Sequence, residues 1–178
     1  MTSTLAARHP KPRGVDGLCL GRTECSVDPR RAKRLAHRLR ARARREGLAH
    51  VVWTSPRQRC AAVGRWLHRW GWVWRIDPRL AEIDFGAWDG RPWVDIPKPE
   101  IDAWTVDFVH HRPGGGEALS ALLQRVREVL DEAPAGVLVT HGGWLSAALW
   151  LRDHGAAMPS ASTWPRAPAC ARIVDLLR

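Results

Sequence analysis

Short apolar runs that stop at a polar residue beside a helix start constrain this chain more than any other feature. Val137-Leu138-Val139-Thr140 stops at His141, and Gly142-Gly143 then opens a helical pattern through Arg152. Residues 49–54 form a second such run, followed by Ser55-Pro56. That cap-then-proline order predicts a helix over residues 57–70. Leu5-Ala6-Ala7 ends in Arg8-His9, and Asp28-Pro29 later opens a helix to Arg45. Residues 72–76 and 171–174 read as further strands. A helix over 117–132 places Leu119, Leu122, Leu123, Val126 and Leu130 on its buried face. Alternating strands and helices predict an α/β fold, a three-layer α/β/α sandwich around a largely parallel sheet. No repeat or linker divides the 178 residues, so a single domain over 1–178 is expected.

Charge narrows the partners. Lys and Arg number 28 against 18 Asp and Glu, a formal net charge of +10 that favours anionic ligands. Much of this charge reads as a solvated face of the helix ending at Arg45, which lacks the interleaved aromatics that stack bases. Nucleic acid is therefore not the expected partner. Cys19, Cys25, Cys60 and Cys170 form neither a CxxC pair nor a zinc-like group, which fits free thiols in a reducing compartment. His110-His111 has no zinc-like company, and neither a metal nor another cofactor is implied. No signal peptide or membrane-crossing stretch is read, so a cytoplasmic protein is expected, with a homo-oligomer left open.

The strand ends then make a constellation. In a parallel sheet, the carboxyl ends of strands share one edge, where ligands bind. His9, Arg8 and His141 belong there, with Arg59 from the first turn of a helix and Glu82 from an acidic loop. Gly142 adds a helix start, whose N–H groups and dipole attract an anion. Two guanidiniums, two imidazoles and a carboxyl group suit phosphoryl transfer without a metal. Arginine holds the charge, one histidine attacks phosphorus, and a carboxylic acid serves the leaving oxygen. Asp84 is a rival for the acid, and Glu82 could instead cap a helix or turn.

Five ordered blocks carry a resemblance across nearly the whole chain. They are Arg8-His9, the segment from Thr54 to Arg59, the segment from Leu80 to Gly90, Pro113-Gly114-Gly115-Gly116-Glu117 and Val139-Thr140-His141-Gly142-Gly143. The chain resembles the histidine phosphatase superfamily, which includes the cofactor-dependent phosphoglycerate mutases. The stretch from Gly17 to Glu24 is most similar to the α-ribazole phosphate phosphatase branch, whose members act in cobalamin assembly. The resemblance implies a phosphoglycerate-mutase-like fold and a small phosphomonoester substrate. It makes His9 the nucleophile that becomes phosphohistidine and Glu82 the proton donor. Arg8, Arg59 and His141 would hold the phosphoryl oxygens.

The chain departs from the family at Pro10, Pro12 and Val15, where Gly, Thr and Asn are usual. Pro10 has no N–H but keeps a carbonyl that can orient the His9 ring. Losing the Asn removes a phosphate contact. Residues 91–112, rich in Pro and Trp, read as a partly helical insertion over the active site. The open alternatives are a phosphatase for a sugar phosphate or other small phosphoester, and a non-catalytic basic binding protein on the same scaffold.

Overall fold

A computed structural model describes residues 4–132 and 136–176; the remainder of the expected domain 1–178 lies outside the described residues. Its strands are short: β1 Leu5–Arg8, β2 Val51–Thr54, β3 Val73–Ile76, β4 Val137–Thr140 and β5 Ile173–Asp175. They form one sheet in the order β3-β2-β4-β1-β5. The first four are parallel to their neighbours, and β5 runs antiparallel along β1. The helices are α1 Pro29–Arg45, α2 Gln58–Arg69, α3 Lys98–Val106, α4 Leu119–Asp131 and α5 Gly142–His154.

Alternation along the strands sorts the core into two layers. Leu5, Ala7, Val52, Val137 and Val139 pack with the apolar faces of α1 and α2. Ala6 and Leu138 point the other way, into the layer of α4 and α5. All four residues of β4 are buried, as befits a central strand covered on both faces. This is a mixed α/β, three-layer architecture with helices on both faces of the sheet. Among the described residues, no helix is long and apolar enough to cross a membrane.

Several boundaries differ from the sequence reading for identifiable reasons. Pro56 lies outside α2, because the Ser55 hydroxyl bonds the His141 ring at 2.8 Å and sits 3.4 Å from the Arg57 N–H. Glu24 instead accepts the Gln58 N–H at 3.0 Å, so α2 begins there. Glu117 is drawn into an ion pair with Arg125, and α4 starts at Leu119. Val129, not Leu130, completes the buried stripe of α4, in step with Leu122 and Val126. The last strand begins at Ile173 because Ala171 is in a left-handed turn, φ 61°. Residues 91–112 hold α3 and a single 3₁₀ turn at Trp93–Asp95.

Candidate active site

The β1–β4 register fixes the centre of the site. Arg8 pairs with Thr140, and the His9 N–H donates to the Thr140 carbonyl at 2.9 Å. His9 and His141 therefore leave adjacent strands side by side, ring centroids 5.1 Å apart. The His9 Nδ1 lies 2.8 Å from the Pro10 carbonyl. A carbonyl only accepts, so Nδ1 carries the proton and Nε2 keeps its lone pair. Burial pushes the His9 imidazolium down to a pKa of about 3, the Pro10 contact opposes this, and Arg59 and Arg8 push it lower. At neutral pH the ring is an uncharged base.

Beside it lie Arg59 and Arg8, neither of which forms an ion pair with a carboxylate among the described residues. Arg59 is buried, its Nη1 donating to the Thr23 carbonyl at 2.7 Å and its Nη2 to the Gly21 carbonyl at 2.6 Å. Its Nε donates to His141 Nδ1 at 3.2 Å, which leaves the His141 proton on Nε2, donated to Ser55 Oγ at 2.8 Å. His141 is held neutral, first by burial and then by charge repulsion from Arg59, with His9 adding to it only once that ring is itself protonated. Arg8 donates from Nη1 to the Pro168 carbonyl at 2.7 Å, while its buried Nε has no partner. Guanidiniums that donate to carbonyls and a ring nitrogen, Arg59 buried and Arg8 half-buried, favour an incoming anion.

Glu82 takes the N-terminus of α5. Its carboxylate accepts the N–H groups of Gly143 at 2.9 Å and Trp144 at 3.1 Å. The two glycines make this approach feasible. A Cβ on Gly143 would stand 2.5 Å from Glu82 Oε1, and one on Gly142 would stand 2.9 Å from the Arg8 guanidinium carbon. Arg8, His9, Arg59, Glu82 and Gly142 line one cavity of about 350 Å³. His141 is fully buried behind its wall. Asp84 is tied elsewhere, accepting the Gly86 N–H at 2.9 Å and pairing with Arg22 at 3.3 Å.

A strand-end histidine with a bare Nε2 beside two guanidiniums suits phosphoryl transfer. Residues 6–176 match the model of the histidine phosphatase superfamily (branch 1). The chain belongs to the histidine phosphatase superfamily. It is similar to the crystal structure of the α-ribazole phosphatase from Shigella flexneri, at 26% identity and a TM-score of 0.76, over 96% of this chain and 88% of that one. A Thermus thermophilus structure is 27% identical at a TM-score of 0.67, over 89% of both chains. The "Probable phosphoglycerate mutase GpmB" of Yersinia enterocolitica is 32% identical over 62% of this chain and 55% of its own length. The chain thus spans about half the length of the curated relative it matches.

Within this histidine phosphatase, the departures at the first loop have visible consequences. Pro10 supplies its carbonyl to His9, and Pro12 and Val15 give the cavity an apolar wall where the family usually has Thr and Asn. Sequence reasoning missed two supporting residues. The Asp89 carboxylate accepts the N–H groups of Gly21, Arg22 and Thr23 at 2.7–2.8 Å, shaping the loop whose carbonyls hold Arg59. Arg125 donates to the carbonyls of Arg79, Ala81 and Glu82, which fixes the backbone that presents Glu82. Asp89 has a signal in the sequence, its place in the Leu80 to Gly90 block; Arg125 has none that sets it apart from the other helix arginines. No group of three or more metal-ligating side chains forms among the described residues.

Proposed function

We propose that this chain is a metal-independent phosphomonoesterase that works through a phosphohistidine on His9. The observation that carries the reading is the His9 ring: neutral, its Nδ1–H held by Pro10, its Nε2 unprotonated beside two guanidiniums. In the first step Nε2 attacks phosphorus, the phosphorus–oxygen ester bond breaks, and the Glu82 carboxyl gives its proton to the leaving oxygen. In the second step water attacks the phosphohistidine, Glu82 takes a proton from it, and the phosphorus–nitrogen bond breaks. Phosphate leaves and His9 is neutral again. Arg8, Arg59 and the α5 N-terminus at Gly142 stabilise charge on the phosphoryl oxygens.

The likeness to the Shigella flexneri structure supports α-ribazole phosphate as the substrate, and with it a cytoplasmic role in cobalamin synthesis. The GpmB relative supports a second reading, a small phosphoester such as a sugar phosphate. We place residues 91–112 as an insertion over the alcohol side of the site, a reading supported by Trp93 in the cavity wall.

The test is a labelled phosphomonoester quenched in alkali, since acid destroys phosphohistidine. Label should map to His9 and be absent from His9→Ala. Equal incorporation by that variant overturns the reading. A non-catalytic anion-binding protein on this scaffold would take no label at all.

A further inference from the structure

The layer of α1 and α2 carries a second feature, remote from the His9 cavity. More than half of α1 is Arg or Lys, and neither α1 nor α2 contains an acidic residue. In sequence the α1 cations lack the aromatic neighbours that stack bases, which argued against nucleic acid. The fold supplies those aromatics from the next helix. Lys33, His37 and Arg40, at i, i+4 and i+7, share the face of α1 that meets Trp66 and Trp70 of α2. The Lys33 Nζ lies 5.1 Å and the Arg69 guanidinium 5.2 Å from the centre of the Trp66 ring. The His37 ring lies 4.3 Å and the Arg40 guanidinium 5.5 Å from that of Trp70. Both indoles are half-buried, 5.9 Å apart, whereas Lys33, His37 and Arg69 are exposed. The seam between the helices is an alternation of cations and indoles. At one end a cavity of about 280 Å³ opens against Trp66, with Ala32 and Ala62 as apolar wall and Gln58 and Arg65 as polar wall. No carboxylate lines it, and it shares no lining residue with the His9 cavity. Among the described residues, the carboxylates paired with α1 side chains, Glu46 and Asp175, both hold Arg42 at the far end of the helix.

We propose that this seam is a binding face for single-stranded nucleic acid, with phosphates along the α1 cations and bases on the indoles, one of them seated in the cavity against Trp66. Cations alone attract any polyanion. Indoles set among them add an affinity for bases, since every base has a flat face to stack. A base that displaces Lys33 from Trp66 exchanges a solvated cation–π contact for a stronger stack and frees the ammonium for a phosphate. A duplex keeps its base faces stacked on one another, so a single strand is the form that fits. An anionic membrane is the poorer match, because the exposed face of α1 has no large apolar side chain to insert.

The probes are a fluorescent oligothymidylate of about a dozen nucleotides and an abasic deoxyribose-phosphate oligomer of equal length, with binding to the full chain followed by polarisation. Their charge is the same, and only the first has bases. The wild type should bind the oligothymidylate about tenfold or more tightly than the abasic oligomer. Its affinity should fall with salt along a log–log slope of about −3.5, as about five phosphate contacts on a single strand require. Trp66→Leu, which keeps an apolar side chain between the helices but no ring, should remove most of the base advantage and leave abasic binding unchanged. Trp66→Phe, which keeps a ring, should lose less. Lys33→Ala should weaken both oligomers alike and lower the slope by about 0.7. His9→Ala should bind both as the wild type does, which separates this face from the phosphoryl site. Equal affinity of the wild type for the two oligomers overturns the proposal and leaves a helix that attracts polyanions by charge alone. A base advantage that survives both Trp66→Leu and Trp70→Leu places the bases elsewhere and overturns it too. Binding to phosphatidylglycerol vesicles that the oligothymidylate does not displace assigns the face to a membrane, again against the proposal.

Discussion

His9 and His141 stand at the ends of neighbouring parallel strands with rings 5.1 Å apart, yet the fold holds them in opposite tautomers. At the end of β1, the Pro10 carbonyl takes the Nδ1 proton and leaves Nε2 as the basic atom. At the end of β4, the Arg59 Nε–H occupies Nδ1, and Ser55 takes the proton of Nε2. In the proposed reaction the first ring keeps a nitrogen for chemistry, whereas both nitrogens of the second, expected from sequence to hold phosphoryl oxygens, are hydrogen-bonded within the fold. Residue type and strand-end position are the same in each. The neighbour decides the role: a carbonyl that only accepts, or a guanidinium that only donates.

Alanine at each position should separate the two roles most sharply. His9→Ala should lose about 10⁴-fold or more in turnover and take no label, as removal of a nucleophile does. His141→Ala frees the Arg59 Nε without touching His9. It should lose about 10- to 100-fold and still carry label on His9, on the scale of a lost positioning contact. Equal losses, with no label in either variant, would end the distinction between them.

The same logic separates the two carboxylates of the acidic loop. Glu82 reaches the cavity beside His9, whereas Asp84 is bound to Gly86 and Arg22. Glu82→Gln keeps the size of the side chain but has no proton to give. It should slow alkyl phosphates by about 10²- to 10⁴-fold. It should slow p-nitrophenyl phosphate far less, since that leaving group hardly needs a proton. Asp84→Asn should leave the ratio of the two substrates as it is. The opposite pattern would move the acid to Asp84.

How much of this was legible in the sequence follows the range of each interaction. The β4 run, its polar stop and the glycines after it announce a buried strand feeding a helix, because period and cap are local signals. The gathering of Arg8, His9, Arg59, Glu82 and His141 followed from parallel topology together with the five blocks. What stayed hidden depends on partners far along the chain. Ser55 is a good cap by its neighbours, but His141, 86 residues away, claims its hydroxyl. By its sequence position Glu82 suits a proton donor or a cap; the structure has it capping α5 from 61 residues away, while it also faces the cavity. Asp89 and Arg125 act on loop backbones that no periodicity locates. The tautomers were beyond the sequence altogether, since they follow from which atom of which neighbour lies within hydrogen-bond reach.

Acid should expose the last and smallest difference between native and unfolded rings. An unfolded histidine takes a proton near pH 6.5. Burial holds the His9 ring neutral down to about 3 and holds His141 neutral well below its ordinary value. The folded state thus declines protons that the unfolded state accepts. The stability each ring contributes is complete above pH 6.5 and is lost as pH falls toward the folded value. Between pH 6.5 and 5.0 the slope of 1.36 kcal/mol per unit gives a loss of about 2 kcal/mol for His9, and His141 adds a loss in the same direction. Urea unfolding at pH 7.5 and 5.0 measures it. His9→Ala should lose about 2 kcal/mol less than the wild type between those two values, whatever its stability at pH 7.5, because carboxylate contributions are common to both proteins. His141→Ala should reduce the acid loss in the same direction, since both rings are buried and neutral despite their opposite tautomers. Saturating phosphate should raise stability at both pH values through Arg8 and Arg59, more than chloride at matched ionic strength. An acid loss in His9→Ala equal to that of the wild type would mean that His9 is charged in the fold, and with it the argument for a lone pair at Nε2 would fail.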